Sequence, residues 1–209
     1  MRPTTLNAVL AAALVAPLVL FGCATSPGDA EVSAKAAAVM KASFREQGQA
    51  KLDRLDQDDM QKACSEHGKA LAKEVVARIE KDNLATIKWP ADGKLLGDWK
   101  NGEKIAQEGR GMQYSDDPKA AAGANCYACH QLAPQELSFG TIGPSLYQFG
   151  KNRGYTDEMR KYAYGKIYNA DAYNACTNMP RFGHKGILTE QQIKDVVALL
   201  MDPASPVNK

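Results

Sequence analysis

The string Asn125-Cys126-Tyr127-Ala128-Cys129-His130 places two thiols three residues apart and an imidazole directly after the second. Side chains at that spacing meet on one side of a helical turn. C-x-x-C-H is the attachment signature of c-type haem: the thiols reach the vinyl groups on one porphyrin edge and the imidazole faces the iron. With 5 Cys in 209 residues and 3 His, chance alone supplies roughly 0.002 such strings. A redox dithiol calls for a βαβ setting, and a zinc site calls for a second ligand pair at matching spacing. Neither is found in this sequence. The expected cofactor is one covalently bound haem c on Cys126 and Cys129, with His130 as an iron ligand.

The opposite face of the iron needs a ligand as well. Met201 falls at the end of a C-terminal apolar stripe, and Met159 falls in the helix start Thr156-Asp157-Glu158-Met159, so packing accounts for both. His184 stands among Gly183, Lys185 and Gly186 and is expected to face solvent. Met179 precedes Pro180, which biases it toward extended backbone, and it is the expected sixth ligand. A thioether opposite an imidazole raises the reduction potential and leaves no open position for substrate, so such a site passes electrons. Gly143-Pro144 follows His130 by a loop. Two readings stand for it: a carbonyl of Pro144 taking the imidazole N–H, or a plain turn.

Once Cys126 and Cys129 are assigned to haem, Cys23, Cys64 and Cys176 remain. In an oxidising compartment Cys64 and Cys176 are candidates for a disulfide, the alternative being two separate buried thiols. Closing a loop of about 110 residues is worth ~4–5 kcal/mol in the chain-entropy model. His67, one turn after Cys64, reads as a solvated helix histidine.

Arg2 followed by the apolar run 8–21 and then Gly22-Cys23 reads as an export signal; as a helix the run spans only ~21 Å of a ~30 Å hydrocarbon core. Leu20-Phe21-Gly22-Cys23 has the outline of a bacterial lipobox, although Phe21 is bulky for it. Lipidation of Cys23, which would hold the protein at a membrane surface, and cleavage a little later by the ordinary peptidase are both open.

From Ser26 to Lys88 the chain is rich in Ala, Lys, Glu, Asp and Gln, with 11 acidic and 11 basic residues. Leu71, Val75 and Ile79, beside Ala72 and Val76, form a stripe at helical spacing, and Leu52, Met60 and Cys64 suggest a further helical face. Trp89-Pro90-Ala91-Asp92-Gly93 reads as a boundary turn. Beyond it, Gly102, Ile105, Ala106 and Gly109 make a face of small residues. Thr189-Glu190-Gln191-Gln192 has the form of a capping box ahead of Ile193, Val196, Val197 and Leu200, and Asp202-Pro203 closes that helix. Strand-like alternation is nearly absent, so the fold class is all-α. The expected organisation is a signal over 1–23, a helical extension over 24–92 and a haem domain over 93–209.

Lys plus Arg number 26 and Asp plus Glu 24, which excludes nucleic-acid binding by bulk positive charge. An apolar share of 44% with 24% charged residues excludes a disordered chain and a multi-span membrane protein. Between Gly140 and Gly186, Lys151, Arg153, Arg160, Lys161, Lys166, Arg181 and Lys185 outnumber Asp157, Glu158 and Asp171. That excess reads either as a surface steering acidic partners or as a solvated face.

Taken together, Gly140–Leu146, Tyr164–Asn169, Met179–His184 and the ending from Leu188 to Asn208 resemble the SoxX family, the monohaem class I cytochrome c subunits of the SoxAX complex of bacterial sulfur oxidation. The resemblance covers roughly 123–208, and the extension lies outside its strongest part. It implies a class I cytochrome c-like domain in the periplasm, paired with a SoxA-type cytochrome. There, thiosulfate is joined oxidatively to a cysteine of a SoxYZ-type carrier protein, an L-cysteine S-thiosulfotransferase reaction. Carried over residue by residue, Cys126 and Cys129 hold haem and His130 and Met179 ligate iron. This chain then has no catalytic residue of its own, and its haem relays electrons to a small acceptor cytochrome. A freestanding shuttle to a terminal oxidase is the alternative.

Overall fold

A computed structural model describes residues 28–67 and 71–209; the signal segment, Cys23 and the side chain of His67 lie outside the described residues. The described chain divides between Ala42 and Ser43 into two compact units. All of helix α1 (Asp29–Ser43) except its last residue falls in the first, and the helix is exposed along its described length.

In the second unit α2 (Asp59–His67), α3 (Lys73–Ala85), α4 (Trp99–Gln107), α5 (Phe149–Arg153), α6 (Asp157–Tyr168) and α7 (Glu190–Met201) follow in order. Among the described residues there is no β-strand, and one isolated bridge joins Gln47 and Ala50. The fold is all-α, as the missing alternation predicts.

Helix α7 begins where the capping box predicts: the Thr189 hydroxyl accepts the Gln192 N–H, and the Gln192 side chain accepts the Thr189 N–H at 3.0 Å. Ile193, Val196, Val197, Leu199 and Met201 are all buried. So are its charged residues Lys194 and Asp195, and each finds partners, as buried charge must. Lys194 reaches Asp92 and Glu190, both at 3.2 Å, and Asp195 accepts the Asp98 N–H at 2.8 Å.

Helix α4 crosses α7 closely because Gly102 lacks a side chain. A Cβ there would collide with the Asp195 carbonyl and lie 3.0 Å from the Leu199 Cβ. Asp98 caps α4 by accepting the Lys100 N–H. The small-residue face stops with the helix at Gln107, so Gly109 lies beyond it. Leu52 sits in a separate short 3₁₀ turn (Leu52–Leu55), so it does not share a helix with Met60 and Cys64. Leu71 precedes α3, whose stripe starts with Val75 and Val76 and buries Ile79.

Residues 43–92 pack into the same unit as the remainder of the chain. Asn169, fully buried, donates to Asn83 Oδ1 and Thr86 Oγ1, both at 2.9 Å. The Tyr164 hydroxyl donates to the Lys88 carbonyl at 3.1 Å, and its ring lies 5.6 Å from that of Trp89. A disulfide joins Cys64 of α2 to Cys176.

Candidate haem-attachment and iron-ligand site

The attachment string is placed by the end of α4. Ala124 N–H donates to the Ile105 carbonyl and Asn125 N–H to that of Glu108, both at 2.9 Å. Asn125 turns the chain through the left-handed region (φ 46°) into a 3₁₀ turn, Cys126–Ala128. Cys129 N–H and His130 N–H then both donate to the Cys126 carbonyl, at 3.1 and 2.9 Å. One tight turn thus gathers both thiols and the imidazole.

Cys126 and Cys129 are free and half-buried. Burial pushes the Cys126 thiol up to about 12. Tyr127, between them, is in the core. Its hydroxyl donates to Glu103 Oε1 at 2.9 Å and accepts the Ala133 N–H at 3.2 Å. Burial pushes the Glu103 carboxyl above its ordinary range, and its Oε2 is buried without a partner. No sequence signal marks Glu103, because its partner Tyr127 lies 24 positions on, across the loop that follows α4.

The loop 140–146 runs alongside the attachment turn. Gly140, Gly143 and Leu146 donate their N–H groups to the carbonyls of Tyr127, Cys129 and Gln131 at 2.8–2.9 Å. Gly143 lies so close to His130 that a Cβ would strike the ring atoms Cε1, Nδ1 and Nε2. The next residue supplies the contact: His130 Nδ1 is 2.7 Å from the Pro144 carbonyl oxygen. A carbonyl only accepts, so Nδ1 carries a proton, and in the neutral ring that leaves the lone pair on Nε2. Gly143-Pro144 is therefore more than punctuation.

Met179 is half-buried and packs against the same apolar core as Cys126. Its N–H donates to Thr177 Oγ1 at 3.3 Å. Met201 is wholly buried, and Met159 packs on the core at the start of α6, behind the Thr156 cap. His184 is half-buried, contrary to its expected solvent-facing place, and burial pushes its imidazole down, with Arg181 and Lys185 adding to the effect. Two unoxidised thiols, an imidazole with a free Nε2 and a thioether on the same core are a donor set that fits haem c.

Most of the basic excess is already engaged. Arg181, 7% exposed, pairs with Asp58 at 2.7 Å and Asp171 at 3.6 Å. Lys185 also reaches Asp58, Arg160 pairs with Asp157, and Lys166 donates to the Ala170 carbonyl. Lys161 and Arg153 lie over the rings of Trp89 and Phe149.

Residues 115–202 match the Cytochrome c family, so the chain carries a cytochrome c domain: an electron-transfer unit with covalently bound haem c. Over 155 residues it is 42% identical to an uncharacterized lipoprotein of Aquifex aeolicus, covering 73% of each chain. It belongs to the same family as that lipoprotein. The crystal structure of SoxXA from P. pantotrophus is similar at 28% identity over 51% of this chain and 82% of that one, with a TM-score of 0.36.

Proposed function

We propose that this protein is an exported, SoxX-like monohaem cytochrome c that relays electrons for a thiosulfate-coupling complex. The observation carrying the electron-transfer part is the His130 Nδ1–Pro144 contact of 2.7 Å, which orients the ring and presents Nε2 to iron. Cys126 and Cys129 would hold the haem, with His130 and Met179 as its iron ligands. Haem supplies a one-electron couple; the chain's residues set its ligands, exclude water and fix the imidazole tautomer. The thiosulfate-specific part rests on the SoxX-like strings 140–146, 164–169 and 179–184.

In that reaction a carrier cysteine thiol and thiosulfate form an S–S bond and release one proton and two electrons. The chemistry belongs to a SoxA-type partner acting on a SoxYZ-type carrier. Held by Cys126 and Cys129, a single haem would supply a one-electron route from that partner to a small acceptor cytochrome. Export is supported by the apolar run 8–21, and lipidation of Cys23 by the lipoprotein relative. No described helix is long and apolar enough to cross a membrane; a lipid on Cys23 would hold the protein at a periplasmic surface.

The test is affinity purification from cells grown on thiosulfate, with haem staining. A stoichiometric second c-type cytochrome is the expected result. A lone haem-stained band at high recovery refutes the heterodimer and favours the freestanding shuttle.

A further inference from the structure

The loop that carries Met179 has no helix or strand of its own between Tyr173 and Thr189. Its position therefore depends on what it is fastened to. The N-terminal extension supplies fastenings on both sides of the methionine. Three residues before it, Cys176 is joined to Cys64 of α2 and sits at φ 60°, in the left-handed region. Such a backbone persists only where its surroundings hold it. Just before that, the Ala175 N–H donates to Glu80 of α3 at 3.2 Å. Two residues after the methionine, the buried Arg181 guanidinium meets Asp58 Oδ2 at 2.7 Å.

Asp58 is fixed by its own helix. Its Oδ1 accepts the Gln61 N–H at 2.9 Å, and the Gln61 side chain accepts the Asp58 N–H at 3.0 Å. This reciprocal pair is a capping box at the start of α2. One carboxylate oxygen starts the helix and the other holds the loop. Cys64 lies on that same helix, so both fastenings come from one rigid element.

We infer that α2 is a two-point clamp on the axial-methionine loop, with Asp58 and Cys64 as positioning residues for the iron ligand. This rests on the reading of Met179 as that ligand. The extension then has a redox function: it holds the thioether on the iron and keeps outside ligands away. Reducing the Cys64–Cys176 bond, or removing the Asp58 charge, loosens the loop and makes the iron accessible.

The test is imidazole binding to the ferric holoprotein, followed through loss of the thioether-to-iron charge-transfer band. Asp58→Asn keeps a good helix cap but removes the nearer of the two carboxylate charges facing Arg181, leaving Asp171 at 3.6 Å, and is expected to tighten imidazole binding about 10-fold. Asp58→Glu restores weak binding, and the Cys64→Ser/Cys176→Ser pair tightens it at least as much as Asp58→Asn. Gln61→Ala breaks the capping box and spares the ion pair, so it lowers the melting temperature without changing imidazole affinity. In a Met179→Ala background Asp58→Asn adds nothing. Wild-type affinity in Asp58→Asn and in the serine pair, with Met179→Ala opening the iron, overturns the clamp. A Met179→Ala protein with an unchanged spectrum overturns the ligand reading instead.

Discussion

Gly143→Ala tests the imidazole contact most sharply. The added Cβ would stand 2.5 Å from His130 Nδ1 and 2.7 Å from Nε2, where ordinary contacts need about 3.5 Å. The ring must retreat by ~1 Å, stretching the 2.7 Å bond to Pro144 beyond the range of a hydrogen bond. Losing that bond costs ~1 kcal/mol, and the overpacking adds ~1–3 kcal/mol. For a domain this size each kcal/mol lowers Tm by about 2–4 °C, so the holoprotein is expected to melt about 5–15 °C lower. Thermal unfolding followed in the haem absorption gives the number, and the ring's movement appears as a changed reduction potential. A variant melting with the wild type at an unchanged potential refutes the reasoning, because the glycine would then have no imidazole to accommodate.

Glu103 predicts a pH effect. Its folded-state affinity for protons exceeds that of the unfolded chain, ordinarily 4.5, because of burial. The folded state therefore binds more protons, and stability falls as pH rises from about 4.5 through the raised value. Glu103→Gln flattens that decline in urea unfolding measured across the acid range. A slope equal to wild type contradicts it. Replacing Cys64 and Cys176 together by Ser opens a bridge of sequence separation 112, removing ~4–5 kcal/mol by the chain-entropy estimate. The expected fall in Tm is about 10–20 °C, measured by calorimetry.

What the sequence made legible was local or combinatorial. The α7 start is written in four consecutive residues, and the attachment turn in five. Subtraction made Cys64 and Cys176 candidates for a bridge, once haem takes Cys126 and Cys129 and Cys23 is lipidated or cut off, with two separate thiols as the alternative; the structure joins them. Contacts between distant elements left no such trace. Asp58 and Arg181 meet across 123 positions, and neither stands out in its own segment. Arg181 reads in the sequence as part of a basic surface, because sequence shows charge but not burial. His184, in a polar string, proved half-buried for the same reason. Leu52 shares an apolar spacing with Met60, yet it sits in a separate 3₁₀ turn that ends at Leu55, before α2 begins. Apolar periodicity alone does not register such a break.

The central claim is a haem iron closed on both faces by this chain's own side chains, His130 and Met179. Exposing the reduced holoprotein to carbon monoxide tests it most directly. The account predicts an absorption spectrum that does not move. A shift to a carbon monoxide complex at neutral pH would mean an open or exchangeable position, and with it a ligand-binding protein rather than an electron carrier.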